Sequence, residues 1–309
     1  MTAEILLMNQ NAVAMASDSA ATISGLGTQN IRNHAIKLFS LSKYAPVGVM
    51  IYNDASLLMY PWETLIKEFR RELGKTTFNH IPEYMDNFVE WLEQNDFLKD
   101  KKIQEEFFKS ATHLRFHEIF NTAFERFYRG EYDERSPNDI VIKILEEQTK
   151  MLSAKPYCRK FNKNDEKRLL KEYEKVIRII LNTVTNEQKY PENLNEKIKK
   201  LFVRYAILPI TRDEFRKHYT GIIISGFGES DLFPSYGHIK VGRVFDSKLR
   251  IKIEEKNGIN IESRVIIKPF AQTDVVDTIT SGIAPDIKDS LGEILFRPYP
   301  KIGAGLVKG

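Results

Sequence analysis

The chain has 309 residues, of which 42% are apolar, and this is enough for a sizeable core in one large domain or two average ones. Its 46 basic and 42 acidic residues leave a formal charge of only +4, which does not suggest a nucleic-acid-binding surface. A single cysteine, Cys158, excludes a disulfide framework within the chain, and no apolar run reaches the roughly 18–20 residues that cross a membrane.

The first part of the chain, residues 2 to about 59, is predicted to form strands. The apolar runs lie at residues 4–8, 12–17, 36–41 and 47–52. Asn9-Gln10-Asn11 separates the first two runs with turn residues and predicts a β-hairpin. These polar residues and Glu4 also interrupt the run, which argues against a signal peptide, so we expect a soluble, cytoplasmic protein. The runs are nearly continuously apolar, as is typical of strands covered on both faces.

The middle of the chain, residues 60–218, is predicted to be largely helical and to include a large insertion. The predicted helices lie at about residues 62–73, 82–95, 102–128, 137–153, 165–184 and 193–206. Pro61 suits the first turn of the first helix, and Gly74 suits its end. The region from 165 to 184 gives the clearest pattern, because its apolar residues recur at helical spacing.

The last part of the chain, from Thr220, returns to strands. The predicted strands lie at residues 221–225, 235–241, 248–254 and 260–267, and a helix is predicted at 272–281. Asn257-Gly258 stands between the last two strands and predicts a tight hairpin there. Strands, then helices, then strands in one chain predict an α+β fold in which sheets are stacked between helical layers.

The order of short motifs near the N-terminus is distinctive. Thr2 follows the initiator methionine, and after the hairpin come the segment AMASDSAAT at residues 14–22 and Lys37-Leu38-Phe39. The segment YNDASL at residues 52–57 then leads into a helix, and GIIISGFG at residues 221–228 is a later strand with a Gly-aromatic turn.

This order resembles proteasome β subunits and the bacterial HslV peptidase over residues 2–70 and about 220–280. The resemblance implies the four-layer αββα sandwich of N-terminal-nucleophile (Ntn) hydrolases. Residues 1–309 would then form a single domain, with core strands and a helix from 1–59 and 219–309 and the helical segment 60–218 between them.

The resemblance also implies a threonine-type peptidase that acts through Thr2 once Met1 is removed. An N-terminal threonine carries its own base in its α-amine, whose ordinary pKa of about 7.7–8.0 lies close to working pH. Lys37 and Asp18 match the lysine and the acidic residue that the family places beside the threonine. The backbone N–H groups of Met50 and Ile51 fall where the family places its oxyanion hole, and such donors stabilise a tetrahedral intermediate.

The resemblance implies a peptide or protein substrate and a homo-oligomer. It implies no organic cofactor, and no metal site is predicted from the residues. The balanced charge and the absence of a long apolar run predict no nucleic-acid partner and no membrane partner.

Some positions depart from the family pattern. Met50 or Ile51 stands where the family has a small glycine, and Ala20 stands where many members have arginine. Gln272-Thr273-Asp274 lies near the family's late serine but matches it weakly. These departures favour an alternative, a catalytically inactive structural or interaction protein that uses the helical insertion as a binding surface. A third possibility is a helical binding module with the strands as scaffold.

Other chemically suggestive residues are interpreted structurally. His113 and His117 lie one helical turn apart and could chelate a metal, but no third ligand is evident and the order is not H-E-x-x-H. Cys158 lies in a polar segment, predicted to be a loop, without a partnering motif for a nucleophile. Gly226-x-Gly228 is interpreted as a turn between strands, because no phosphate-binding pattern follows it.

Overall fold

A computed structural model shows an α+β fold built on two antiparallel sheets, with a helical bundle beside them. The structure describes residues 3–19, 21–25, 28–32, 36–130, 136–216, 218–271 and 273–295. The predicted mixture of strands, helices and strands along the chain is therefore confirmed.

The strands and helices follow one another in a simple order. The strands are β1 (Ala3–Asn9), β2 (Val13–Ser17), β3 (Ala21–Gly25), β4 (Thr28–Arg32), β5 (Leu38–Ser40), β6 (Val47–Asn53), β7 (Ser56–Leu57), β8 (Tyr60–Pro61), β9 (Tyr219–Gly226), β10 (Ser235–Phe245), β11 (Lys248–Gly258) and β12 (Val265–Ala271). The helices are α1 (Trp62–Leu73), α2 (Ile81–Gln94), α3 (Lys101–Tyr128), α4 (Pro137–Ala154), α5 (Lys163–Glu187), α6 (Glu196–Thr211), α7 (Thr273–Ser281) and α8 (Pro285–Leu295). One sheet has the order β12-β1-β2 and the other β11-β10-β9-β6-β5, while β3–β4 and β7–β8 are separate hairpins.

The five-stranded sheet is buried on both faces. Side chains alternate along a strand, so Val49 and Ile51 of β6 lie on one face, in an apolar cluster with α1 and α2. Met50 and Tyr52 lie on the other face, in a cluster with the inner side chains of the three-stranded sheet. The second cluster includes Leu6, Met8, Ile223, Tyr236 and Phe270. This arrangement explains why the strands have nearly continuous apolar sequences.

The helices α1 to α6, which lie between β8 and β9 in the sequence, divide into two groups. Helices α1 and α2 pack on one face of the five-stranded sheet and share its apolar core. Helices α3 to α6 instead pack around a second apolar cluster. Phe116, Phe120 and Phe202 are fully buried in that second core. Phe245 of β10 joins it, with its ring 5.2 Å from that of Phe108 on α3. None of the described helices combines the length and apolar character needed to span a bilayer.

The predicted helices are confirmed to within a few residues at each end, because their end signals are local. Asn162 begins α5 with a capping box: its side chain accepts the Asp165 N–H, and the Asp165 carboxylate accepts the Asn162 N–H. Ser136 caps α4 through the Asn138 N–H. Gly74 ends α1 with φ +56°, a conformation that glycine adopts without steric cost. Helix α8 was not predicted.

The predicted hairpin at Asn257-Gly258 is wrong. Strand β11 continues through both residues, pairing Asn257 with Tyr236 of β10, and β12 pairs with β1 of the other sheet. The tight turn lies instead at Asp246-Ser247, where φ values of 53° and 57° suit a two-residue hairpin. Gly258 is needed for a different reason, because an added Cβ would lie 2.7 Å from Ser235 Cβ.

Gly226, at the end of β9, packs closely against the backbone of Pro46, and a substitution can test this contact. An added Cβ would lie 2.0 Å from the Pro46 carbonyl oxygen, which is backbone and cannot turn away. Gly130 also has a positive φ, of 63°, but no atom of the described residues lies within 4 Å of its added Cβ. We expect Gly130→Ala to lower the free energy of unfolding by about 1–2 kcal/mol and Gly226→Ala to lower it by about 3 kcal/mol or more. Urea unfolding measures both, and equal losses would contradict this packing.

Candidate active site

Two of the predicted site residues form an ion pair that joins the two sheets. Asp18 directly follows β2, and Lys37 directly precedes β5. Lys37 Nζ donates to Asp18 Oδ1 at 2.6 Å, and the lysine side chain is only 8% exposed while that of Asp18 is 32% exposed. The predicted contact between these residues is thus present. Backbone hydrogen bonds hold both ends, since the Asp18 N–H donates to Ala3 O at 3.1 Å and Lys37 O accepts from Ile51 at 2.9 Å.

A third ionisable residue, Glu4, lies in the same interior and was not predicted from the sequence. It is 1% exposed, and both carboxyl oxygens lack a hydrogen-bond partner among the described residues. Burial raises the pKa of Glu4 to about 8; the Lys37 ammonium opposes that rise, and the Asp18 carboxylate adds to it. The carboxyl group therefore keeps its proton at neutral pH. The available signal was its alternation with Leu6 and Met8, which puts all three on the inner face of β1.

A buried tyrosine–histidine pair completes the polar interior. Tyr52 Oη lies 3.0 Å from His238 Nε2, and both residues are buried between the sheets. Burial lowers the pKa of His238 to about 4, so its neutral imidazole can accept the tyrosine O–H. Burial also raises the pKa of Tyr52 above its ordinary value, and nearby Tyr219 adds to that shift. Gly221 makes room for the tyrosine ring, because an added Cβ would lie 1.9 Å from it. The sequence carried no signal for this pair.

One of the two predicted oxyanion-hole donors, the Ile51 N–H, is used within the sheet. The Ile51 N–H donates to Lys37 O at 2.9 Å, so the hydrogen bonds of the sheet already use that donor. The Met50 side chain is fully buried between the sheets. In this arrangement the Ile51 amide is not free to bind an oxyanion, and Met50 contributes a packed core side chain.

The other residues considered in the sequence analysis lie outside the described residues or close to a gap in them. Thr2 lies outside the described residues, as do Ala20 and Gln272. Thr273 begins α7, and Asp274 is exposed in its first turn. Helix α7 contacts β1 and β12, which brings it next to the strand that carries Glu4.

Cys158 and the glycine-containing turn serve structural roles. Cys158 is 2% exposed in the core of the helical bundle, and burial raises the pKa of its thiol, so it is poorly suited to act as a nucleophile. The Gly228 N–H donates to Asp231 Oδ2 at 2.9 Å. This hydrogen bond lies within the loop between β9 and β10, as expected for a turn between strands.

Comparisons with family models, with curated proteins and with solved structures each found no match.

Glu4 offers a test of the polar interior through the pH dependence of stability. Between pH 4.5 and about 8 the folded chain holds a proton that the unfolded chain releases, so Glu4 lowers stability as the pH rises. The slope is at most about 1.4 kcal/mol per pH unit. We expect Glu4→Gln to gain free energy of unfolding relative to wild type between pH 5 and pH 8, measured by urea unfolding. Glu262→Gln, at an exposed position, is the control, and an equal gain there would contradict the burial of Glu4.

Proposed function

We propose that this protein is a threonine-type Ntn hydrolase that cleaves peptide or related amide bonds through Thr2 after removal of Met1. The observation that carries this proposal is the Asp18–Lys37 ion pair, which lies between two facing sheets beside the first residue of β1. The layers support it: α1 and α2 cover the five-stranded sheet, the three-stranded sheet covers its other face, and α7 contacts β1 and β12. We infer from this order a four-layer αββα sandwich.

Chain connectivity supports a role for Thr2 beside this pair. The Asp18 N–H donates to Ala3 O, and Thr2 is bonded directly to Ala3. Consecutive Cα atoms are about 3.8 Å apart. The nucleophile proposed here is therefore tied to a residue that already contacts Asp18.

The proposed reaction uses the α-amine of the mature chain as its base. The Thr2 hydroxyl oxygen attacks the substrate carbonyl, and the amine takes the hydroxyl proton and passes it to the leaving amine. Water then hydrolyses the ester formed on Thr2. The Lys37 ammonium disfavours a second positive charge nearby, which keeps the amine in its neutral, basic form. Asp18 holds this ammonium in place.

The raised pKa of Glu4, which lies above neutral pH, helps to keep the α-amine of Thr2 neutral. A protonated Glu4 leaves Lys37 with one ionised carboxylate partner, Asp18, among these groups. An ionised Glu4 would add a second negative charge and raise the pKa of the amine. We therefore expect the raised pKa of Glu4 to help the amine act as a base near pH 7.

The alternative is a catalytically inactive interaction protein on the same fold. It is favoured by the Ile51 N–H, which is used within the sheet, and by the bundle α3–α6, which has its own apolar core. Such a bundle could present a binding surface without any contribution from the sheet. The two proposals differ in whether the wild-type chain reacts at Thr2.

Covalent labelling distinguishes them. We expect an intact mass without Met1 and modification of Thr2 by an electrophile directed at N-terminal threonine, such as an epoxyketone. Thr2→Ala should abolish labelling, Thr2→Ser should retain part of it, and Lys37→Ala should reduce it about as strongly as Thr2→Ala, because residues that act as one unit are not additive.

Lys155→Ala is the matched control, since Lys155 forms an ion pair with Glu214 away from this site. Circular dichroism checks that each variant is folded. Retention of Met1, or a processed wild-type chain that never reacts, would reject the hydrolase and favour the interaction protein.

We further propose a cytoplasmic homo-oligomer that acts on peptide or protein substrates, since closed symmetric assemblies are common. Light scattering at micromolar concentration should give a mass that is a multiple of the 35.9 kDa chain. A monomeric mass across the concentration range would contradict the oligomer without bearing on the chemistry of Thr2.

A further inference from the structure

The helical bundle brings a third potential metal ligand to the histidine pair on α3. His113 and His117 lie one turn apart, so their side chains share a face of the helix. Glu187 is the last residue of α5, which packs against α3. The glutamate is 70 residues away from His117 in sequence, which explains why no third ligand was evident from spacing alone.

The three side chains converge on one point. The Nε2 atoms of His113 and His117 each lie 2.8 Å from Glu187 Oε2. The two imidazole rings have centroids 4.6 Å apart, and the ligand atoms all lie within 4.8 Å of one another. All three side chains are between one quarter and one half exposed, so an ion can enter from solvent.

Neighbouring amides orient one of the imidazoles. Gln188 Nε2 lies 2.6 Å from His117 Nδ1 and 2.9 Å from Asn121 Oδ1. A metal-bound histidine commonly donates its other N–H to a fixed acceptor, which sets the tautomer and the ring orientation. With the amides of Gln188 and Asn121 both turned over, Gln188 Oε1 accepts from His117 Nδ1–H and from the Asn121 amide, since the two ends of an amide are assigned from hydrogen bonding.

We propose that His113, His117 and Glu187 bind a divalent transition metal that prefers imidazole, Zn²⁺ in the first place, with its fourth position open to solvent. Two imidazole nitrogens and one carboxylate oxygen are a donor set that Zn²⁺ accepts, at about 2.0–2.2 Å. At these bond lengths neighbouring ligand atoms are about 3.3 Å apart. The Nε2–Oε2 distances of 2.8 Å therefore need to open by only about half an ångström, within reach of side-chain rotation.

Binding changes the protonation of the imidazoles in a defined way. Each neutral imidazole that now donates from Nε2 must carry its proton on Nδ1 instead, and the metal replaces the two hydrogen bonds to Glu187. The ion would then link the middle of α3 to the C-terminal end of α5. This site is formed by α3 and α5 and shares no residue with the proposed hydrolase centre, so it does not depend on the proposed hydrolase.

Zn²⁺ titration of the full-length, metal-stripped protein by isothermal calorimetry tests the site. We expect one Zn²⁺ per chain, loss of that binding in His113→Gln and His117→Gln, and strong weakening in Glu187→Gln. These substitutions keep side chains of similar size that can hydrogen-bond. Gln188→Ala should weaken binding about 10–100-fold. Bound Co²⁺ should show the visible absorption of a tetrahedral site in the wild type and lose it in His117→Gln.

His80→Gln is the matched control. His80 is also a partly exposed histidine bonded to a carboxylate, 2.6 Å from Asp231 Oδ1, and it lies outside the bundle. We expect this variant to bind Zn²⁺ as the wild type does. Circular dichroism checks the fold of every variant. Absence of Zn²⁺ binding in the wild type, or binding that survives both His113→Gln and His117→Gln, overturns the proposal.

Discussion

The architecture depends on burying both faces of one antiparallel sheet. In β6, β9 and β10, alternate apolar residues contact α1 and α2 on one side and the three-stranded sheet on the other. Burial of apolar surface is the dominant favourable contribution to folding, so covering both faces contributes more than covering one. The same requirement brings the N-terminal hairpin and β12 together, although the chain between them includes the whole helical bundle.

The interior formed by the two sheets determines the chemistry of the polar groups within it. An isolated charge is costly in such an environment, so charges there are paired or neutralised. Lys37 is paired with Asp18, while Glu4 gains a proton and His238 loses one near neutral pH. Burial causes both shifts, and perturbed pKa values of this kind are common at functional sites. The proposed hydrolase uses this interior to keep an amine neutral beside a lysine.

The bundle is a second unit with different physical requirements. Its helices bury aromatic residues around Phe202 and leave charged and polar residues on their outer faces. The proposed metal ligands on the bundle are partly exposed, and they meet because α3 and α5 pack side by side. The histidine pair on α3 and Glu187 on α5 are an example, since neither helix alone provides the complete set of ligands. A hydrolase centre between the sheets and a metal centre on the bundle would therefore be independent.

The sequence by itself determined the local structure and the class of fold. The stop at Gly74 and the first hairpin depend on neighbouring residues, so their signals were sufficient. The resemblance to the proteasome β subunits led us to expect Asp18 and Lys37 near each other, and the two residues form an ion pair. Only the tertiary structure decided which strands pair, because Asn257-Gly258 is a turn signal that the register with β10 overrides. Packing likewise decided that Glu4, Tyr52 and His238 share one interior and that Glu187 joins the histidines, because these contacts join residues far apart in the chain.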